Sequence, residues 1–111
     1  LIDYEEMQHV LLFLQRADPS QLVSYYETVI GALIDYDQRQ DAQLLYTLQI
    51  YFEHNGNLNK TAKQLNLSLP GLRYRIEKIE SLISVDIKTG DGRFQCQLAL
   101  QFYYAVQAIH F

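Results

Sequence analysis

The stretch GNLNKTAKQLNLSLPGLRYRIEKIE, residues 56–80, constrains the fold more than any other part of the chain. It reads as two short helices with only a few residues between them. Asn59 is placed to cap a helix beginning at Lys60, with Ala62 and Leu65 on a buried face and Leu58 just before them. Ala62 is small enough for another helix to cross closely. Asn66 comes next, and asparagine tolerates the left-handed backbone that a tight corner needs. Leu67 plugs that corner. Ser68 suits the N-cap of a second helix, and Pro70 is tolerated in its first turn, where N–H groups have no helical partner. At about 100° per residue, Leu72, Ile76, Ile79 and Ile83 form one inward stripe. Tyr74, Glu77 and Ser81 point outward, Arg73 and Lys78 sit on the shoulders, and Arg75 lies nearer the buried edge.

The remaining sequence is helical in period, with almost no strand signal. Residues 4–15 carry Met7, Val10, Leu11 and Leu14 on one side. Asp18 caps the next helix, with Pro19 in its first position, and that helix runs towards Ile30, where Gly31 breaks or bends it. The segment LIDYDQRQD is a short helix or turn. Asp41 caps a further helix through Leu44, Leu45, Leu48, Tyr51 and Phe52, which HNGN stops. The segment SVDIKTGDGR is a loop, and a last helix runs from Arg93 to Phe111 with Phe94, Leu98, Phe102, Val106 and Ile109 on one side. The expected class is all-α, a helical bundle containing a helix-turn-helix. Residues 1–40 form a helical lead-in at the end of an upstream region, and residues 41–111 form the helix-turn-helix domain. The chain lacks an initial methionine, and an excised piece of a longer protein is expected.

Charge decides which partners suit such a unit. The net charge of −4 argues against nucleic acid, but the sum hides a split. Between residues 54 and 79 stand Lys60, Lys63, Arg73, Arg75 and Lys78 against Glu77 alone, while the rest of the chain holds four basic and twelve acidic side chains. A phosphate backbone responds to the local basic face, because salt screens charges beyond about 8 Å. Two helices with this outline match a helix-turn-helix, in which the N-terminal part of the second helix enters the major groove. Arg75 and Lys78, with Lys60 and Lys63, suit phosphate contacts. Thr61 and Ser68 offer hydroxyls or helix-end N–H groups to the same backbone. Arg73 and Tyr74 are the candidates for base edges, and Leu69 and Pro70 can touch a thymine methyl. The same basic residues also fit an ordinary solvated face, since Glu77 and Glu80 lie within salt-bridge reach at helical spacing.

Other chemistries find little support. His9, His54 and His110 are isolated, without metal-ligand spacing, and the lone GDG at residues 90–92 is no phosphate loop. The single cysteine, Cys96, sits in an apolar run as a buried thiol of a reducing compartment. No apolar run approaches the roughly 18 residues of a membrane span, and the opening LIDYEEM has no basic signal-peptide region. No enzyme and no cofactor are expected.

The segment LLYTLQIYFEHNGNLNKTAKQLNLSLPGLRYRIEKIESL, followed by QLALQFY, resembles the C-terminal helix-turn-helix domain of PucR-type regulators, a group that includes CdaR-like proteins. A leucine-rich helix, the NGNLNKTA entry, LRYRIEKIE and the later helix occur in the family's order. The likeness extends over roughly residues 33–104, with LIDYDQRQDAQLLYTL as lead-in; a looser likeness to Fis-type units covers only the two central helices. The resemblance implies a cytoplasmic bacterial transcription regulator that binds double-stranded DNA as a homo-oligomer, with a recognition helix at about 69–83. It also implies a small-molecule effector held by a region upstream. One departure stands out. The family commonly begins this helix with His-Arg-Asn-Thr, whereas this chain has Ser68, Leu69, Pro70 and Gly71 before the matching Arg73, Tyr74 and Arg75. Altered specificity and weakened DNA binding are both open, and a helical dimerisation or protein-interaction module with a degenerate helix-turn-helix is the alternative.

Overall fold

The computed structural model describes residues 18–109, and the expected helix at 4–15 lies outside that range. Five helices follow in order among the described residues: α1 (Pro19–Gln40), α2 (Leu44–Glu53), α3 (Leu58–Leu65), α4 (Leu69–Leu82) and α5 (Gly90–Ile109). The all-α expectation holds. Helices α2, α3 and α4 pack on one another as a three-helix unit, and the long helices α1 and α5 lie against each other beside it.

Helix α1 begins as its sequence dictates. The Asp18 carboxylate accepts the Ser20 N–H at 3.0 Å and Pro19 occupies the first turn. That N–H draws the Asp18 pKa below the ordinary carboxylate value. Gly31 does not end the helix as expected. Ile30 and Leu33 are fully buried on either side of it, and Leu22, Tyr26, Val29 and Ile34 join them in the core. Burial of that face outweighs the roughly 1 kcal/mol that a glycine costs inside a helix. The helix therefore continues through LIDYDQRQ to Gln40.

Asp41 was expected to cap α2 but instead ends α1, in left-handed conformation with φ 50°. Asp37, still within α1, caps α2 in its place: its two carboxylate oxygens accept the Leu44 and Leu45 N–H groups at 2.8 and 2.9 Å. Asp41 and Gln43 both take positive φ in the link, which lets the chain fold back onto that carboxylate. Asp37→Ala should destabilise the fold by about 1–2 kcal/mol, the ordinary worth of a lost N-cap, read as a lower urea midpoint with an unchanged slope.

The α2–α3 connection closes with Asn55 at φ 53° and Gly56 at φ 81°, and the Gly56 N–H reaches the Tyr51 carbonyl at 2.9 Å. The N-cap of α3 is Asn57, two residues before the expected Asn59; its side chain accepts the Lys60 N–H at 3.0 Å. Asn66 adopts φ 57°, and Leu67 N–H bonds the Ala62 carbonyl at 2.9 Å, forming the left-handed corner read from the sequence. Ser68 then caps α4, accepting the Gly71 N–H at 3.1 Å. Leu72, Ile76 and Ile79 are buried, whereas Ile83 is a half-buried C-cap in extended conformation.

Helix α5 starts at Gly90, three residues before its expected beginning, because the Thr89 hydroxyl accepts the Gly92 N–H at 3.0 Å. Its buried face is Cys96, Ala99, Leu100, Ala105 and Val106. Phe94, expected on that face, is 64% exposed, so the true stripe is rotated from the one assigned. Edge-to-face aromatic pairs join α5 to α1: Tyr25 with Phe102 at 5.7 Å and Tyr26 with Tyr103 at 5.3 Å. Ser84 bonds the same helix, its N–H to the Val29 carbonyl at 3.2 Å and its hydroxyl to that of Thr28 at 3.1 Å. Residues 19–40, read as lead-in, thus share one hydrophobic core with the helices that follow.

Cys96 is fully buried, and desolvation pushes its thiol up to about 12. The unfolded thiol loses its proton near pH 9 while the folded one keeps it. Stability contributed by this group is therefore complete below pH 9 and falls by about 1.4 kcal/mol per pH unit between 9 and 12. Cys96→Ala should flatten that alkaline loss in urea titrations at pH 8 and pH 10.5.

Candidate nucleic-acid interface

The corner at Asn66 sets α3 and α4 against each other and leaves one side of each in solvent. On α4 the exposed stripe is Pro70, Arg73, Tyr74, Glu77 and Ser81, the spacing of one helical face. Tyr74 is 68% exposed, the largest value among the large apolar side chains described. On α3, Lys60 and Lys63 are exposed. Ser68 is also exposed, with its oxygen engaged in capping, while Leu69 and Gly71 are half-buried. The exposed charges of the two helices are mainly basic: Lys60, Lys63 and Arg73 against Glu77.

One of the residues read from the sequence faces inward, and two at the edges of the stripe are engaged by neighbouring helices. Thr61 is fully buried, and its hydroxyl donates to the Asn57 carbonyl at 2.7 Å; the hydroxyl belongs to the α3 N-terminus and does not reach the surface. Helical period explains this, because position 61 falls on one face with Leu58, Ala62 and Leu65. Arg75 is half-buried and its Nη1 donates to the Thr47 Oγ1 of α2 at 3.0 Å. Lys78 is half-buried with its ammonium 4.7 Å from the centre of the Tyr36 ring, a cation–π contact with α1. Arg75 and Lys78 thus brace α4 against α2 and α1, on the flanks of the exposed stripe.

Among the described residues, the acids expected to neutralise this face form no ion pair with its basic side chains. Among the described residues the ion pair formed is Lys88 with Glu80 at 3.7 Å. Arg73, Glu77 and Glu80 border a groove of about 270 Å³ together with Gly56, Leu58 and Lys88. Glu77 stands on the outward stripe and was not among the residues singled out for binding. Thr47 was also passed over, although a threonine inside the largely apolar run LLYTLQI signals a buried polar partner. The other tie across the unit is the 2.6 Å contact between His54 Nε2 and Gln64 Oε1, which joins the end of α2 to α3.

Two capped helices meeting at a left-handed corner, held by a third and presenting a basic outer face, define a helix-turn-helix domain of the transcription-regulator class. The chain belongs to the PucR C-terminal helix-turn-helix domain family, whose pattern matches residues 44–102. It is similar to three Bacillus subtilis (strain 168) proteins. The purine catabolism regulatory protein is 31% identical over 72% of this chain and 15% of its own length. The proline-responsive transcriptional activator PutR is 32% identical over 73% of this chain and 19% of its own. The DNA-binding transcriptional activator AdeR is 26% identical over 69% of this chain and 18% of its own. The matched region is thus less than a fifth of each relative. No solved structure matches the chain. No helix among the described residues is long and apolar enough to cross a membrane.

Proposed function

We propose that this chain is the DNA-binding end of a metabolite-responsive bacterial transcription regulator acting in the cytoplasm. The observation that carries the reading is the exposed stripe Pro70–Arg73–Tyr74 at the start of a capped second helix, with Lys60 and Lys63 exposed on the helix before it. The N-terminal half of α4 enters the major groove. Lys60 and Lys63 hold phosphates, Ser68 donates its hydroxyl hydrogen to the same backbone, and Arg73 and Tyr74 meet base edges. Leu69, Pro70 and Gly71 supply shape and methyl contact and no side-chain hydrogen bond. Two copies bind half-sites about one helical turn apart. The names of the relatives, one for purine catabolism and one proline-responsive, support a small-molecule effector, held in the full-length regulator by a region outside this domain.

Selection of bound duplexes from a random-sequence pool, followed by anisotropy titration at several salt concentrations, tests the reading. Enrichment of a defined sequence, with affinity falling steeply as salt rises, is the expected result. A chain that dimerises yet shifts no duplex at low salt is a protein-interaction module instead.

A further inference from the structure

The hydrogen bond between Arg75 and Thr47 joins residues 28 positions apart and is the tie that fixes the rotation of α4 on α2. Thr47 is completely buried. Its hydroxyl donates to the Gln43 carbonyl at 2.8 Å, which orients the oxygen lone pairs towards α4, where Arg75 Nη1 donates at 3.0 Å. A guanidinium has five N–H donors in a rigid plane. Engaging one of them from beneath fixes that plane. The remaining donors have no protein partner among the described residues, and none is a buried atom without a partner. The half-buried guanidinium therefore turns its free edge to solvent, beside the stripe that carries Arg73 and Tyr74. A guanidinium held in this way matches the bidentate geometry of a phosphate and loses little side-chain freedom on meeting one.

We propose that Thr47 is a positioning residue for DNA binding: it acts through Arg75, holding the guanidinium for one phosphate of the duplex while touching no DNA itself. The proposal rests on the DNA-binding reading above. It differs from a purely structural role in a measurable way, because a lost phosphate contact changes the salt dependence of binding and a lost packing contact does not.

The test uses the duplex recovered by random-pool selection and the chain carrying Thr47→Val, Thr47→Ser, Arg75→Ala or both Thr47→Val and Arg75→Ala. Thr47→Val keeps the side-chain shape and removes the acceptor. It should weaken binding roughly tenfold, on the scale of a hydrogen bond to a charged group, and flatten the plot of log affinity against log salt by about 0.9. Thr47→Ser, which keeps the hydroxyl, should restore both values. Arg75→Ala should flatten the plot equally, and the double variant should add nothing further. An unchanged salt slope in Thr47→Val, or in Arg75→Ala, overturns the proposal and leaves DNA binding intact. Failure of the unaltered chain to bind any duplex removes the underlying reading as well. Should Thr47→Val not fold, Thr47→Ser and Arg75→Ala still decide, since their salt slopes must stay and fall respectively.

Discussion

Gly92→Ala should unfold this domain more readily than alanine at any of its other four glycines. A Cβ at residue 92 would stand 1.8 Å from the Asp86 carbonyl oxygen and within 3 Å of the Asp86 C and N atoms. All three are backbone atoms, so no rotamer change relieves the overlap. The segment cannot easily retreat either. Asp86 is fastened by bonds from Lys88 and Thr89, and Ile87 beside it is fully buried. A destabilisation of at least about 3 kcal/mol is expected, at the upper end for overpacked sites, lowering the melting temperature by roughly 10 °C. Gly90 provides the control, because nothing lies within 4 Å of a Cβ there; Gly90→Ala should stay within about 0.5 kcal/mol. Equal melting temperatures for the two variants, followed by circular dichroism, would contradict the close approach at residue 92.

The second large effect concerns the exposed basic face. Lys60→Ala with Lys63→Ala should remove two phosphate contacts and flatten log affinity against log salt by about 1.8. The loss should be similar for every sequence, because phosphates carry none. Arg73→Ala should behave otherwise, costing about 1–3 kcal/mol on the selected site and relaxing the preference at one base position. None of the three side chains is buried, so thermal stability should hold. Uniform loss in Arg73→Ala would reassign that arginine to the backbone. Preserved affinity in both variants would place the DNA-binding surface elsewhere.

The features legible in the sequence were those set by neighbouring residues. Asp18 and Ser68 each cap a helix through a donor two or three residues on, and Asn66 turns the corner within its own segment. The Leu72–Ile76–Ile79 stripe follows from helical period alone. Errors arose where distant groups decided. Gly31 is an exit signal in isolation, yet the core around Ile30 and Leu33 carries the helix past it. Asp41 is a plausible cap by type, but Asp37, one turn earlier, reaches across the link and takes the role. Within NLN the composition alone does not choose between Asn57 and Asn59, and the choice makes the Asn57 carbonyl the partner of the Thr61 hydroxyl. For the candidate interface, the charge pattern pointed to α4, whose outer stripe is exposed, while the partners of Arg75 and Lys78 on α2 and α1 lie 28 and 42 positions away and leave no local trace.

The uninterrupted course of α1 has a mechanical consequence. Twenty-two residues make a rod of roughly 33 Å at about 1.5 Å per residue. Its last turns grip the reading unit at two points, through Asp37 on the start of α2 and through Tyr36 under Lys78 of α4. The rest of the rod is held too, by Tyr25 and Tyr26 on the rings of α5, so α1 and the three-helix unit turn as one body. One residue inserted between Ile30 and Tyr36 would rotate Tyr26 and Val29 by about 100° relative to those two grips and carry them off the core.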